Sequence, residues 1–229
     1  QPLISEPEYG YVPPLDGFLT QYKGRTWALG HDNDSYTYFY RRDLFEDENE
    51  KKAFADKYGY PLAPPATWEQ FDQIAEFFDR PDKGYRGAFL FANRTFAYVN
   101  WAARFFSRGG IYMDRDMNPQ LTSDAGVTAL EEMVRLAQRH MSREAITGDW
   151  SALYTHFPAG RAVQATSWVS LGKWAEDPVN SKIAGKVGMG LMPGSAPPGV
   201  RGVGGAPTRG RREENGCSCR KGEVDAART

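Results

Sequence analysis

Five consecutive polar residues, 31–35, separate two predicted strands and contain two carboxylates, Asp32 and Asp34, with an amide between them. Carboxylate and amide oxygens accept hydrogen bonds, so this loop is suited to holding the hydroxyl groups of a ligand. The same residue types bond to their own backbone in ordinary solvated turns, and that interpretation stays open. Tyr36 begins the aromatic run that follows and is either a ligand contact or a packing residue.

Two further candidate pairs each follow a short apolar run: Asn93 with Arg94, and Ser167 with Trp168. The amide oxygen accepts hydrogen bonds and the guanidinium donates them, while an indole offers an apolar plane to the C–H face of a sugar ring. These residue types therefore predict binding of a hydroxyl-rich ligand. Trp150 is a further candidate for stacking, with core packing as the alternative.

Catalysis by paired carboxylates, as in a glycoside hydrolase, has Asp32, Asp34 and Asp149 as its candidates. Such an enzyme needs one acid and one base in different environments, and no pattern in the sequence marks that division. The three histidines lack metal-ligand spacing, and the two cysteines, Cys217 and Cys219, lack the second pair of a zinc site. We therefore predict no enzyme activity, no metal and no cofactor.

The elements that would position these residues alternate between strands and helices. Short apolar runs at 86–91, 162–166 and 187–192 predict buried strands, with helical patterns between them. This alternation indicates an α/β fold with a mostly parallel sheet flanked by helices. Parallel sheets bind ligands at the carboxyl ends of their strands, where both candidate pairs lie.

The helices have start signals and apolar stripes. Asp43 is predicted to cap a helix that runs toward Tyr58, and Thr67 with Gln70 forms a capping box for the next helix. The stripes predicted to face the core are Trp68, Phe71, Ile74 or Ala75, and Phe78; Phe96, Val99, Ala103 and Phe106; and Val127, Leu130, Val134 and Ala137.

Bulk properties narrow the class of protein further. The chain has 229 residues, 41% of them apolar, which is enough for a sizeable core. A formal net charge of -1 gives no electrostatic basis for nucleic-acid binding. No apolar run is long enough to predict a membrane span. The 14% aromatic content, with six tryptophans, suits a bulky core or a stacking pocket.

Several segments, in their order and spacing, resemble the bacterial extracellular solute-binding proteins (family 1 type) of carbohydrate ABC transporters. The resemblance covers roughly residues 9–199. The matching segments are 23–34 (KGRTWALGHDND), 39–45, 58–71, 105–110, 157–163 (FPAGRAV), 167–168 and 187–194 (VGMGLMPG).

The resemblance implies a periplasmic binding protein-like fold of which this chain holds mostly the second lobe plus a hinge crossing, without the N-terminal part. It predicts a partial first lobe and hinge crossing at 1–42 and a second α/β lobe at 43–199. Residues 200–229 lack a hydrophobic period and are predicted to be an irregular tail, either disordered or translated out of frame. Within the family pattern, the loop 32–36 and the Ser167-Trp168 exit match binding positions.

The implied function is the substrate-binding component of an ABC importer, which binds a sugar or oligosaccharide between two lobes and delivers it to a membrane permease. The implied location is the periplasm or the extracellular surface, although no signal peptide is recognised in this chain. Two alternatives remain: a glycoside hydrolase-like enzyme that uses paired carboxylates, and an interaction module without a small ligand.

Overall fold

The computed structural model describes residues 21–23, 25–27 and 35–195. Its strands are β1 (Gln21–Tyr22), β2 (Arg25–Thr26), β3 (Tyr36–Arg41), β4 (Arg86–Phe89), β5 (Ala162–Trp168) and β6 (Val187–Gly190). Its helices are α1 (Arg42–Glu46), α2 (Glu48–Tyr58), α3 (Trp68–Phe77), α4 (Ala97–Ser107), α5 (Asp124–His140), α6 (Arg143–Thr147), α7 (Trp150–His156) and α8 (Leu171–Ala175), with a 3-10 turn at Pro81–Lys83.

The main sheet has the strand order β4-β5-β3-β6. β4 and β5 are parallel, but β3 runs antiparallel to both of its neighbours, with Tyr36 opposite Trp168 and Tyr38 opposite Gly190. The sheet is therefore mixed: β4, β5 and β6 share the direction expected of a mostly parallel sheet, whereas β3 is reversed, because apolar runs record burial and not strand direction. As a consequence, the start of β3 lies at the same edge as the carboxyl ends of β4, β5 and β6.

Helices cover both faces of this sheet, as predicted. Tyr38 and Phe39 are fully buried and, as neighbours on one strand, point to opposite faces. The Tyr38 ring meets Phe71 of α3 with centroids 5.9 Å apart. On the other face, the Phe39 ring meets Phe157, directly after α7, at 6.3 Å. The fold is an α/β layer structure with its core on both sides of the sheet.

The beginning of α3 confirms the predicted capping box. Thr67 Oγ1 accepts from the Gln70 backbone N–H at 3.2 Å, and the Gln70 side chain accepts from the Thr67 N–H at 3.3 Å. The helix packs closely on β4, where a Cβ on Gly87 would overlap the carbonyl oxygen of Ala75. The buried face of the helix consists of Trp68, Phe71, Ile74 and Ala75.

The single helix predicted from Asp43 toward Tyr58 is two helices in the structure. The chain is extended at Asp47 (φ -65, ψ 122), whose carboxylate accepts from the backbone N–H groups of Asn49 and Glu50. An aspartate that bonds to the backbone in this way begins a new helix in preference to continuing the old one.

The stripe predicted to bury α5 is wrong in three of its four members. Val127, Leu130 and Val134 are 46%, 54% and 45% exposed. The helix buries a different stripe instead, and Trp101 of α4 donates its indole N–H to the Gly126 carbonyl at 3.0 Å. Two stripes of helical spacing share this helix, and the sequence does not show which of them the neighbouring elements cover. That buried stripe is Gly126, Ala129, Met133 and Leu136.

Several predictions lie outside the described residues. They include the loop with Asp32 and Asp34, the tail 200–229, and most of the partial lobe at 1–42. The division of the chain at residues 42 and 199 stays a prediction. Among the residues that the structure does describe, none of the helices combines the length and apolar character needed to cross a membrane.

Candidate functional site at the carboxyl edge of the sheet

An aromatic cage lies at the sheet edge where the strand ends converge. It consists of the half-buried Trp168, at the end of β5, and three rings around it: Tyr36, Phe91 and Phe96. Tyr36 meets the indole edge to face at 86°, with centroids 5.6 Å apart. The Phe91 and Phe96 centroids lie 5.5 Å and 5.7 Å from it. These contacts fix the indole plane while leaving part of it accessible to a ligand.

A buried polar cluster supports the cage, with Asn100 of α4 at its centre. The Asn100 side chain is 1% exposed. Its Oδ1 accepts from the Tyr36 hydroxyl at 3.0 Å and from Thr166 Oγ1 at 2.7 Å. Its Nδ2 donates to the Phe91 carbonyl at 3.0 Å. Helix α4 is thereby tied to β3, to β5 and to the segment that follows β4.

Tyr36 belongs to both the cage and the polar cluster. Burial raises the pKa of its hydroxyl well above the ordinary value, Tyr154 adds to the increase, and hydrogen bonds with Thr166 and Asn100 oppose it. The phenol therefore stays neutral and acts as a donor at physiological pH. Because that donor is directed at Asn100, the ring of Tyr36 is the part available to line a ligand site.

The predicted pair Asn93 and Arg94 divides into two roles. Asn93 Oδ1 accepts from the Phe96 backbone N–H at 2.8 Å, and its Nδ2 donates to the Gly148 carbonyl at 2.7 Å, so this side chain holds the turn before α4. Arg94 is exposed and makes no hydrogen bond or ion pair with any other described residue. The Arg94 guanidinium therefore has all its donors available to a ligand, whereas the Asn93 amide already bonds to the backbone.

Ser167 lies beside Trp168 in sequence but on the opposite face of β5, because side chains alternate along a strand. It is fully buried, and its hydroxyl has no hydrogen-bond partner within the described part of the chain. The structure thus separates the two members of this predicted pair. Ser167 remains a candidate site residue as an unsatisfied buried hydroxyl.

Trp150 lies at the start of α7 and makes no described ring contact with Trp168 or with the three rings around it. It is 49% exposed and meets Tyr154 edge to face with centroids 5.6 Å apart. Tyr154 also contacts Trp174, and the Tyr154 hydroxyl bonds to Ser170 Oγ at 2.7 Å. Trp150 is therefore not a buried core residue, which rules out the alternative of core packing. Its role in ligand binding stays a prediction.

Asp149, the carboxylate considered for hydrolysis, caps α7. Its carboxylate accepts hydrogen bonds from the hydroxyl and the backbone N–H of Ser151. Both bonds lower the pKa of Asp149, and the bond from the hydroxyl has the larger effect. A carboxylate held ionised in this way is a poor general acid, which requires a raised pKa. The other two candidates, Asp32 and Asp34, lie outside the described residues.

Sequence reasoning missed three residues of the edge site: Phe91, Phe96 as a ring beside Trp168, and Asn100. One signal was present for Asn100, which lies one helical turn after Phe96, beside the predicted apolar stripe. An amide on a buried helix face needs hydrogen-bond partners. The sequence does not identify these partners, because Tyr36 and Thr166 lie 64 and 66 positions away from Asn100.

A groove of about 950 Å³ lies elsewhere, between α3 and α5. It is lined by charged side chains that include Asp72, Arg108 and Glu132. None of the predicted site residues lines it. These three lining side chains take part in the ion pairs with Arg104 and with each other that join α3, α4 and α5.

Comparison with known proteins agrees with the fold and with the sequence resemblance. The family model for bacterial extracellular solute-binding proteins matches residues 3–211. The mannitol-binding protein of Pseudomonas aeruginosa is 22% identical over 203 residues, which cover 80% of this chain and 44% of that protein.

Solved structures give the same result. An ABC transporter solute-binding protein from Agrobacterium radiobacter K84, in complex with ribitol, is 25% identical with a TM-score of 0.69, and 83% of this chain aligns with 45% of it. A second, from Agrobacterium vitis S4 with bound D-mannitol, is 21% identical with a TM-score of 0.68, covering 81% and 42% of the two chains. The chain spans less than half the length of these relatives. It belongs to the bacterial extracellular solute-binding proteins.

Proposed function

We propose that this chain is part of the substrate-binding component of an ABC importer and contributes one side of a site for a sugar, a sugar alcohol or an oligosaccharide. The observation that carries this proposal is the half-buried Trp168, whose indole is held by three rings where the strand ends converge. The ribitol and D-mannitol complexes of the two Agrobacterium relatives support this ligand class.

The chemistry of the edge site suits such a ligand. The C–H groups of a polyol or sugar ring pack against an indole face, and its hydroxyl groups accept hydrogen bonds from a free guanidinium. Trp168 and Arg94 offer these two groups. The predicted loop with Asp32 and Asp34 immediately precedes β3 in the sequence and carries acceptors that suit the same hydroxyl groups.

Transport requires that the permease distinguish the ligand-bound protein from the free protein. A ligand that contacts two lobes together stabilises their closed arrangement, and that shift in population is the signal. In this proposal the described lobe supplies the Trp168 side of the contact, and the protein works in the periplasm or at the cell surface. The proposal assigns no catalytic step to the chain.

The direct test is isothermal titration calorimetry with D-mannitol, ribitol and maltose, on protein that unfolds cooperatively. We expect saturable binding of at least one of them. Trp168→Ala should lower the affinity by about tenfold or more, since loss of an aromatic contact costs on the order of 1 kcal/mol beyond the buried area. Tyr98→Ala is the control, because Tyr98 is an exposed aromatic residue of α4 that makes no ring contact with the described residues.

Two outcomes would contradict the proposal. Folded protein that binds none of these compounds, or any other sugar in a broader panel, would favour the interaction module without a small ligand. Hydrolysis of a chromogenic glycoside, abolished by Asp32→Asn or Asp34→Asn, would favour the enzyme instead.

A further inference from the structure

We infer that Asn100 is a positioning residue of the ligand site: it holds the aromatic cage in the geometry that presents Trp168. The ligand-binding part of this inference rests on the proposed function. The structural part, that Asn100 fixes the position of Trp168, does not.

The first argument is connectivity. The Asn100 side chain bonds to three separate segments, through the Tyr36 hydroxyl, Thr166 Oγ1 and the Phe91 carbonyl, at 3.0, 2.7 and 3.0 Å. These segments are β3, β5 and the extension of β4. They come from distant parts of the sequence, and one amide side chain fixes their mutual positions at the edge of the sheet.

The second argument is the arrangement of the rings. Tyr36 and Phe91, two of the rings that contact Trp168, belong to residues that bond directly to Asn100. The third, Phe96, lies one turn before Asn100, at the beginning of α4. All three sides of the cage are therefore fixed relative to the same side chain, which itself does not touch the indole ring in any described contact.

The third argument is the chemistry that this position demands. Tyr36 is neutral and needs an acceptor, whereas the Phe91 carbonyl needs a donor. An amide supplies both in one planar group. Leucine has the right size and supplies neither, so Asn100→Leu would remove the acceptor shared by the Tyr36 and Thr166 hydroxyls and the side-chain donor to the Phe91 carbonyl. We expect the three segments to shift relative to one another and Trp168 to lose its fixed orientation.

A matched control is present in the same sheet. Gln164 on β5 is also a fully buried amide: it accepts from the Tyr38 hydroxyl at 3.0 Å and donates to the Phe71 carbonyl at 2.7 Å. It makes the same kinds of bond as Asn100, but in the interior of the strand and without a described contact to the cage. Gln164→Leu therefore reports the loss of a buried amide alone.

The experiment uses the full chain labelled with 5-fluorotryptophan and observed by fluorine NMR. The chain has six tryptophans, and the Trp168 resonance is assigned by its absence in Trp168→Phe. We expect Asn100→Leu to shift or split the Trp168 resonance and to lower the affinity for D-mannitol, or for whichever panel sugar binds, by tenfold or more. Gln164→Leu should lower the melting temperature but leave the resonance and the affinity unchanged.

Thr166→Val is the milder second variant, because it removes one of the two donors to Asn100 Oδ1 and conserves volume. It should move the Trp168 resonance in the same direction and lower the affinity a few-fold, and it decides the question if Asn100→Leu does not fold. An unchanged Trp168 resonance in a folded Asn100 or Thr166 variant would overturn the inference. If wild-type protein bound none of the sugars, the proposed function would fail, while the resonance would still decide the role of Asn100.

Discussion

Tyr36 and Trp168 lie directly opposite each other in the antiparallel β3 and β5 pair, and their rings meet edge to face with centroids 5.6 Å apart. In sequence order, β3 is the first strand of the main sheet and β5 is the third. The two rings meet at the edge of the sheet where the strand ends converge. A contact that belongs to the sheet therefore also forms one side of the cage around the indole.

Tyr36→Phe removes the hydroxyl that donates to Asn100 and keeps the ring that contacts Trp168. We expect the free energy of unfolding to fall by about 1 kcal/mol, the usual net value of one buried hydrogen bond. Ligand affinity should fall only a few-fold, because the ring remains and Asn100 keeps two bonds. Urea unfolding and calorimetry measure the two effects, with the exposed Tyr98→Phe as control. A large loss of affinity at unchanged stability would show that the hydroxyl contacts the ligand.

Arg104→Met removes a fully buried cation from the centre of an ionic cluster. Its guanidinium donates to Asp72 at 2.7 Å and to Glu132 at 2.8 Å, and lies over the Trp68 ring at 4.4 Å from its centroid. We expect a loss of about 3 kcal/mol in the free energy of unfolding, because the partly buried Asp72 loses the cation it pairs with and Glu132 keeps only Arg108. Urea unfolding should show no measurable loss for Lys51→Ala, which breaks an exposed pair. Equal stability of the two variants would contradict this account.

Leu136→Ala and Leu130→Ala test which face of α5 is buried. Leu136 is 2% exposed and Leu130 is 54% exposed. We expect the first substitution to cost about 2 to 5 kcal/mol through lost burial and a cavity, and the second to change the free energy of unfolding by less than about 1 kcal/mol. Chemical denaturation of both variants measures the difference. A large loss for Leu130→Ala would mean that this face is covered in solution.

His156 should make stability depend on pH in the neutral range. Burial and the nearby Arg161 lower its pKa below the ordinary value of 6.5, with Glu144 opposing. The unfolded chain then binds a proton more readily than the folded one, so the free energy of unfolding should fall as pH drops through that value. His156→Gln should flatten this part of the profile, measured by urea unfolding between pH about 5 and about 8. If the free energy of unfolding of the variant changed with pH as steeply as that of the wild type, another group would be responsible for the pH dependence.

Local signals in the sequence predicted much of the local structure. The capping box at Thr67 and Gln70 is present in the structure, and the buried face of α3 is the one that its stripe indicates. The strand ending at Trp168 was also placed correctly to within two residues. Such features depend on neighbours within one turn or one strand, so the chain specifies them before it folds.

Three features required the tertiary structure. The direction of β3 depends on where the preceding chain enters the sheet, and burial alone does not encode it. The buried face of α5 depends on which stripe fits against α4, where the Trp101 indole N–H donates to the Gly126 carbonyl. Asn100 became a candidate only when β3, β4 and β5 brought Tyr36, Thr166 and Phe91 around it.

By itself, the sequence determined most of the elements, the capping box of α3 and the residue types at the strand ends, because these follow from periodicity and short-range hydrogen bonds. Only the tertiary structure decided which of those residues meet. Trp168 gained its three rings and its support from Asn100 through contacts between segments far apart in the chain. Contacts of this kind depend on packing between elements, which no single stretch of sequence contains.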